Sequence, residues 1–146
     1  MMIRPVEKAD WQEWLRMRRL LWPSTSLAEH EDEMSAYFMR GEGSLSWVVE
    51  TFDKQLIGFL EASIRQAAEG CDTRNVAYIE GWYVDPEFRR VGVGGLLVGH
   101  AEQWAHLQGS KEMASDCELS NESGLKAHLS LGFEETSRLI HFRKKL

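Results

Sequence analysis

The sequence predicts a mixed α/β fold, with a central mixed, mainly antiparallel sheet flanked by helices. Two strand-like segments, 46–51 and 56–65, are separated by the polar turn FDKQ, a pattern typical of an antiparallel hairpin. The apolar strand 76–84 is followed by a helix-like and then a strand-like segment, which is the order of a βαβ unit. With 146 residues and no internal repeat or linker, the chain is predicted to be one domain, 1–146.

Two helices are predicted ahead of the hairpin. Asp10 resembles a helix start, because a carboxylate can accept hydrogen bonds from the exposed amides of a first turn. Trp and Leu residues then recur at helical spacing until Pro23, which cannot continue a helix. Ser26 indicates a second start, and this helix is predicted to reach about Arg40 and to end at Gly41.

The second half of the chain alternates strands and helices. Strand 76–84 is apolar on both faces and is therefore predicted to be central. The helix that follows has one apolar face and is predicted to end at Gly109. We then expect a strand at 112–119, a short helix at 121–131 and a last strand at 138–146.

Composition narrows the class of protein. The formal net charge of −6 argues against nucleic acid as a partner and is compatible with a cationic substrate. No apolar run approaches the length of about 18 residues that a membrane span needs, and the first residues do not resemble a signal peptide. We therefore expect a cytoplasmic protein in which Cys71 and Cys117 stay reduced.

The stretch DPEFRRVGVGG, 85–95, lies between the central strand and the next helix. It lacks the lysine of a P-loop and the glycine spacing of a dinucleotide fingerprint. It fits Arg-x-x-Gly-x-Gly, in which glycines let successive amides point at one anion and the following helix adds its free N–H groups. This pattern predicts a phosphate cradle, and the alternative is an arginine-bearing surface turn.

Two motifs resemble the GCN5-related N-acetyltransferases. Val84, Pro86 and the Arg-x-x-Gly-x-Gly segment resemble that family's acetyl-CoA-binding core, and NESGLKAHLSLGF resembles its second signature. The resemblance implies that family's fold, acetyl-CoA as co-substrate, no metal, and backbone amides that hold the CoA pyrophosphate. The cofactor-binding residues that it implies are Trp82, Tyr83, Val84, Arg89, Arg90, Val91, Gly92, Val93, Gly94, Gly95 and Asn121. For Asn121 the alternative is a helix N-cap.

Further segments between Arg18 and Thr136 are similar to the aminoglycoside 6'-N-acetyltransferases: RRLLWP, ASIR, GCD, EMASD and GFEET. This resemblance implies direct acetyl transfer, in a ternary complex, to the 6'-amino group of a polycationic aminoglycoside. It also implies a homodimer, for which 138–146 could supply a pairing edge. The chain departs from the pattern at QAAEG, which has no aromatic residue, and at Ser137, which replaces an acid. The alternatives are another acceptor (a small amine, a polyamine or a protein N-terminus) and a non-catalytic acyl-CoA-binding domain.

Glu80 is predicted to be the catalytic base. Alternation along 76–84 places it on one face with Tyr78 and Trp82, among large apolar side chains, where a poorly solvated carboxylate is suited to accept a proton. The resemblance implies that Glu80 binds the substrate amine and takes its proton through water. The alternative is a structural ion pair with Arg65.

Two features are predicted to act on the thioester of acetyl-CoA: the backbone around Gly81 and the His128 side chain. A bulge at Gly81 is expected to open the strand for the arm of acetyl-CoA, and the resemblance implies that a backbone N–H near 82–84 polarises the acetyl carbonyl. His128 stands where many relatives have a Tyr that acts as general acid for the thiolate. An imidazole can also donate this proton near neutral pH, and the alternative is a histidine on the helix surface.

Two more residues are predicted to bind the substrate. Asp116 falls in the predicted strand 112–119, an unusual place for a charge, and the resemblance implies that it binds an ammonium group. The alternative for Asp116 is a cap of the next helix. Trp22 resembles the family's substrate-stacking Trp, and with six Trp residues in the chain the alternative is a core position. Together, Glu80 and Asp116 predict a negative patch for a polycation.

Overall fold

The computed structural model describes residues 1–40 and 42–146, so Gly41, predicted to end the second helix, lies outside the described residues. Within them the chain forms one five-stranded sheet and four α-helices, none long and apolar enough to cross a membrane. The strands are β1 (Met2–Pro5), β2 (Ser44–Glu50), β3 (Leu56–Arg65), β4 (Val76–Val84) and β5 (Met113–Ala114). The helices are α1 (Trp11–Leu21), α2 (Leu27–Met39), α3 (Val93–Leu107) and α4 (Glu122–Ser130).

The sheet runs in the order β1-β2-β3-β4-β5 and confirms the predicted mixed α/β class. The first four strands pair antiparallel, and β4 and β5 are parallel. Because parallel neighbours need a crossover, α3 connects β4 to β5 as the predicted βαβ unit. The bounds of β3 and β4 agree with the predicted 56–65 and 76–84.

Helices cover both faces of the sheet. On one face, α3 packs on an apolar cluster that includes Leu60 and Leu97. On the other, α1 and α2 pack on a second cluster that includes Trp14, Met34 and Phe59. Since burial of apolar surface is the main stabilising term in folding, these two clusters hold the central strands β3 and β4 from both sides.

Three segments differ from the prediction. β5 spans only Met113–Ala114 instead of 112–119, and 138–146 is not a strand but an exposed segment without regular structure. Both segments have strand-like sequence, but a strand forms only where a neighbouring strand pairs with it. β1 was not predicted, because MIRP is short and contains a proline; it forms by pairing with β2.

The helix starts depend on local hydrogen bonds. Ser26 Oγ accepts from the Glu29 amide at 3.1 Å, which confirms the predicted start of α2. Asp10 precedes α1 as predicted but does not cap it. Its carboxylate accepts from the Glu7 amide at 2.7 Å and from Arg4 Nη1 at 2.8 Å. The ion pair with β1 therefore directs this carboxylate away from the first turn of α1.

Candidate active site

A β-bulge in β4 shapes the site. Gly81 lies opposite Glu61 and Ile79 lies opposite Ala62, so Glu80 is an extra residue in the ladder between β3 and β4. The predicted bulge is therefore present, with the extra residue next to Gly81. Glu80 and Gly81 both face the side of the sheet covered by α1 and α2, since both lie beside residues of α1 or its end.

The bulge reverses the alternation predicted for β4. Trp82 packs with the cluster on the α3 face, and its Nε1 donates to the Gly94 carbonyl at 3.2 Å. Tyr78 lies on the opposite face, near Glu80 and under the Arg65 guanidinium. The prediction that Glu80 and Trp82 share a face is wrong, because the extra residue shifts every later side chain by one position.

Glu80 lies in polar surroundings. Arg65 Nε donates to Glu80 Oε2 at 2.9 Å, and Ser63 Oγ donates to the same oxygen at 2.6 Å. The Glu80 side chain is 31% exposed. The apolar environment expected from the sequence is therefore wrong, and the ion pair with Arg65, the stated alternative, is formed. Its neighbours on β3 orient the carboxylate and leave it accessible to solvent.

A cavity of about 470 Å³ opens beside Glu80, between α1, α2 and the strands β2 to β4. Glu33 and Glu61 also line it, together with Arg18 and Arg40, so three carboxylates and two guanidinium groups face one space. Trp22 and Tyr37 supply aromatic walls. This volume lies within the range of small-molecule sites, and acidic groups with aromatic walls are suited to a cationic ligand.

Trp22 forms the wall closest to the bulge. Its ring lies against the Gly81 backbone, where an added Cβ would be 2.4 Å from Cη2 of Trp22. The Arg18 guanidinium lies 4.8 Å from the ring centroid. The sequence left two alternatives for Trp22, a core position and a position facing the substrate. Trp22 is partly buried, packs against the cluster under α1 and α2, and also lines the cavity, so both descriptions apply. Trp22 and Glu80 line the same cavity.

Asp116 is exposed two residues beyond β5, so its predicted place within a strand is wrong. Its carboxylate accepts from the Tyr78 hydroxyl and does not cap the next helix, whose N-cap is Asn121. Arg65 lies 3.5 Å from the Tyr78 ring centroid, so Tyr78 connects Asp116 to the pair of Arg65 and Glu80. Burial, with Asp116 as the second cause, raises the pKa of Tyr78 to about 12, so this hydroxyl remains a hydrogen-bond donor.

The glycine-rich stretch forms the start of α3. Gly92 is the N-cap and has a left-handed φ of 89°. The Leu96 amide donates to the Gly92 carbonyl at 3.1 Å, so the amides of 93–95 precede the first bond within the helix. At Gly94 an added Cβ would lie 3.1 Å from the Trp82 ring, so glycine lets α3 approach β4 closely. Helix-start amides with the positive end of the dipole fit a pyrophosphate.

The side chains of the other residues predicted to bind the cofactor lie in different places. Arg90 and Val91 are exposed on the loop. Arg89 Nε donates to the Val84 carbonyl at 2.6 Å, which directs its guanidinium to the end of β4. The Tyr83 side chain is buried on the face of the sheet covered by α1 and α2. Only the backbone of Tyr83 could therefore contact a ligand on the α3 side.

His128 lies on α4, with its ring centroid 5.2 Å from that of Trp82. Its Nδ1 lies 2.6 Å from the Gly124 carbonyl oxygen and its Nε2 lies 2.8 Å from Ser115 Oγ. A carbonyl only accepts, so Nδ1 carries a proton and Nε2 is the nitrogen that can exchange a proton with Ser115. Asn121 Oδ1 accepts from the Gly124 amide at 2.9 Å, which is the N-cap stated as its alternative.

The model of the Acetyltransferase (GNAT) family matches residues 11–133, which include the bulged strand, the glycine-rich helix start and α4. The chain belongs to this family. The resemblance seen in the two sequence motifs is thereby confirmed, and so is the predicted fold of these acetyltransferases.

The GNAT relatives include two proteins named aminoglycoside N(6')-acetyltransferase type 1. The one from Klebsiella aerogenes is 44% identical over 99% of this chain and 97% of its own length. The one from Acinetobacter genomosp. 13 is 40% identical over 100% of this chain and 99% of its own. A solved structure of AAC(6')-Iy with the bisubstrate analogue CoA-S-monomethyl-acetylneamine is similar at a TM-score of 0.90 and 35% identity, over 99% and 98% of the two chains.

Some residues of this GNAT site were missed at the level of sequence. Glu61 had a signal, since an acidic residue in the middle of the apolar strand LIGFLEASIR is unusual. Ser63 and Ser115 had none, because their roles depend on the register of β3 and on where α4 packs. Among residues 1–40 and 42–146, no group of three or more His, Cys, Asp or Glu side chains could hold a metal ion.

Proposed function

We propose that this protein is an acetyl-CoA-dependent N-acetyltransferase that acetylates the 6'-amino group of aminoglycosides. One observation carries the proposal: the bulge at Glu80 places a carboxylate-lined cavity on one face of β4 and the glycine-rich helix start beside its other face. Acceptor and donor sites thus meet at one strand. The names of relatives similar over nearly the whole chain support aminoglycosides as the acceptor.

The cavity is proposed to bind the acceptor. Trp22 offers a ring face to the apolar side of a sugar ring, while Glu33 and Glu80 attract its ammonium groups. Asp116, which is outside the cavity lining and reaches Glu80 through Tyr78 and Arg65, is proposed to attract a further ammonium group. The 6'-nitrogen must lose a proton before it can attack, because attack needs its lone pair. Glu80, held in orientation by Arg65, accepts that proton directly or through water.

The start of α3 is proposed to hold acetyl-CoA. The left-handed Gly92 and the amides of 93–95 fit the pyrophosphate, with the exposed Arg90 and Val91 just before them in the chain. Asn121, the N-cap of α4, is proposed as a further CoA contact on the family resemblance alone. When bound, acetyl-CoA supplies the thioester whose carbonyl carbon the amine attacks. A backbone N–H of 82–84 donates to the carbonyl oxygen as charge develops on it.

The leaving sulfur needs a proton when the bond between carbon and sulfur breaks. His128 is proposed to supply it in its protonated form, from Nε2 through the Ser115 hydroxyl 2.8 Å away. Nδ1 remains bound to the Gly124 carbonyl throughout, which fixes the ring orientation. The 6'-ammonium loses one proton before attack and a second after the N–C bond has formed, and both leave through Glu80, which passes them to solvent. His128 protonates the thiolate from the other side of β4 and regains its proton from solvent.

Thiol release from acetyl-CoA across a panel of amines tests the proposal. We expect turnover with kanamycin and tobramycin, which carry a 6'-amino group, and none with an aminoglycoside that has a 6'-hydroxyl instead. Turnover with spermidine or an N-terminal peptide alone would assign a different acceptor. Binding of CoA without turnover of any amine would identify a non-catalytic acyl-CoA-binding domain.

We also infer a homodimer in which the segment 138–146 of each chain pairs with the sheet of the other. Ile140 is 75% and Phe142 is 91% exposed on this segment, an unfavourable position for large apolar side chains in water. At the edge of the sheet, β5 offers unpaired backbone groups for a further strand.

Sedimentation of the whole protein tests this assembly. We expect a dimer for the wild type and a monomer for the double variant Ile140→Asp/Phe142→Asp. Phe52→Asp is the matched control, because Phe52 is also 91% exposed but lies in the turn between β2 and β3. A monomeric wild type, or a control that dissociates equally, would contradict the inference.

Two broader properties complete the proposal. We infer a reducing, cytoplasmic location, supported by Cys71 and Cys117, which are free thiols. We infer a single domain, 1–146, because β1 near the start and β5 in the last third of the chain belong to one sheet.

A further inference from the structure

We propose that Arg18 and its partners Glu61 and His30 are positioning residues that set the orientation of Trp22 over the acceptor cavity. The inference rests on the proposed function, in which Trp22 stacks on the acceptor. Arg18 is only 2% exposed, an unusual position for an arginine, and it lies one helical turn before Trp22.

An ion pair fixes the position of the Arg18 guanidinium. Its Nη1 donates to Glu61 Oε1 at 2.7 Å, and Glu33 accepts from Nη2. Trp14 Nε1 donates to Glu61 Oε2 at 3.0 Å. Burial raises the pKa of Glu61, and the charge of Arg18 opposes that rise. Since a buried charge needs a partner, Arg18 and Glu61 constrain each other to one arrangement.

The fixed guanidinium in turn holds the Trp22 ring. The Arg18 Cζ atom lies 4.8 Å from the Trp22 centroid, within the range of a cation–π contact. Gly81 supports another part of the ring, and the Phe59 ring meets it edge-on with the centroids 6.2 Å apart. The ring therefore has contacts on several sides, and its remaining surface faces the cavity.

His30 extends the same constraint to the backbone. Arg18 Nε donates to His30 Nδ1 at 3.3 Å, which leaves the proton of a neutral imidazole on Nε2. His30 Nε2 lies 3.3 Å from the Trp22 carbonyl oxygen and donates to it. Trp22 is the C-cap of α1, where carbonyls lack partners within the helix. Arg18 thus acts on the ring directly and on the backbone through His30.

Removal of the ion pair as a unit tests the proposal. The double variant Arg18→Met/Glu61→Gln avoids an unpaired buried charge, which would threaten folding. We expect the aminoglycoside KM to rise roughly tenfold, because a Trp22 ring that is no longer held in place stacks less well on the acceptor. The acetyl-CoA KM should stay unchanged. His30→Leu, which keeps the ion pair, is a second variant expected to raise the aminoglycoside KM.

A matched control separates positioning from stability. Arg4 Nη2 donates to Glu50 Oε2 at 2.7 Å, and the two side chains are 19% and 9% exposed, between β1 and β2. Because Arg4 also pairs with the buried Asp10, the control variant is Arg4→Met/Asp10→Asn/Glu50→Gln, which leaves no buried carboxylate without its cation. We expect a lower melting temperature with both KM values unchanged. If this control raises the aminoglycoside KM equally, the effect of the Arg18 variant is a general loss of stability.

A double-mutant cycle with Trp22→Ala decides whether Arg18 acts through Trp22. We expect no further rise in KM when the Arg18/Glu61 substitutions are added to Trp22→Ala. An equal rise in that background, or an unchanged KM in the folded variants with Trp22 intact, would overturn the inference. A wild type that acetylates no aminoglycoside would instead overturn the proposed function.

Discussion

At the scale of single residues, the bulge decides on which face of the sheet the Glu80 carboxylate lies. A regular strand would bury this carboxylate or turn it away from Gly81, whereas the extra residue places both on the cavity side. Arg65 and Ser63 then orient it from β3. We infer that Glu80 acts as base while remaining in its ion pair, because the carboxylate is still partly exposed.

Glu80→Gln is expected to lower kcat by about 10²- to 10³-fold, since the amide cannot accept the proton of the amine. Acetyl-CoA affinity, measured by calorimetry, should stay within a factor of about two, because Glu80 lies on the face opposite Trp82. Glu102→Gln, at an exposed position of α3, is the control and should leave kcat unchanged. Loss of CoA binding in Glu80→Gln would place Glu80 in the cofactor site instead.

Gly81→Ala is expected to displace Trp22, because the new Cβ would lie 2.4 Å from the indole ring. We expect a loss of about 1–3 kcal/mol of unfolding free energy from overpacking and a roughly tenfold higher aminoglycoside KM. Gly99→Ala, where an added Cβ meets nothing within 4 Å in α3, is the control. It should stabilise the protein by about 0.5–1 kcal/mol and leave KM unchanged. An unaltered KM in a folded Gly81→Ala variant would show that Trp22 does not need this contact.

At the scale of elements, the start of α3 unites two requirements in one turn. Gly92 adopts a left-handed φ that favours glycine, and Gly94 lets the helix approach Trp82. The amides of 93–95 precede the first hydrogen bond within α3 and are therefore available to an anion. The proposed cofactor site is for this reason mainly a property of the backbone, with side chains such as Arg90 around it.

A pair of substitutions separates backbone strain from charge at Gly92. Gly92→Asn and Gly92→Asp bear the same left-handed strain, but only Asp adds a negative charge where we place the pyrophosphate. We expect Gly92→Asp to weaken acetyl-CoA binding at least about tenfold more than Gly92→Asn, as measured by calorimetry at low salt. Equal affinities in the two variants would place the pyrophosphate elsewhere.

At the scale of the whole molecule, two ion-pair networks connect strands and helices that are distant in the sequence. Arg4 connects β1 to Asp10 before α1 and to Glu50 on β2. Arg16 connects α1 to Asp85 just after β4, with Nη1 to Oδ1 at 3.0 Å. The start of α1 is thus tied to β1 and β2, and its middle is tied to the residue after β4.

Acid should weaken the first of these networks. The hydrogen bond from Arg4 lowers the pKa of Asp10 below 3.8 and, with Lys54 as the second cause, the pKa of Glu50 below 4.5. Because both folded-state pKa values are depressed, the stabilisation is fully present above the unfolded values and is lost as pH falls through the folded ones. We expect the unfolding free energy from urea titrations to decline as pH decreases below about 4.5.

Arg4→Met is the variant for this test. Without the guanidinium, both carboxyl groups regain more ordinary pKa values, so we expect lower stability at pH 7 and a shallower decline in acid. Arg19→Met, at an exposed position of α1, should follow the wild-type pH profile. A decline in Arg4→Met as steep as that of the wild type would assign the acid sensitivity to other carboxylates.

The strands and helices that were predicted correctly have strong local patterns. The bounds of β3 and β4 followed from their apolar runs, and Ser26 indicated α2 through a hydrogen bond within one turn. The failures at 112–119 and 138–146 concern edge segments, whose pairing depends on a neighbour that local sequence does not reveal. The same limit applies to β1, which forms by pairing with a strand about 40 residues later.

The sequence by itself determined the family and predicted the glycine-rich start of α3, because the motif at 89–94 specifies a backbone conformation within a few residues. Only the tertiary structure decided the acceptor half. The faces of Glu80 and Trp82 depend on a one-residue shift between β3 and β4. The contact of the buried Arg18 with Trp22 depends on how α1 packs on the sheet. The physical reason is that register is a property of two strands, while local sequence describes one.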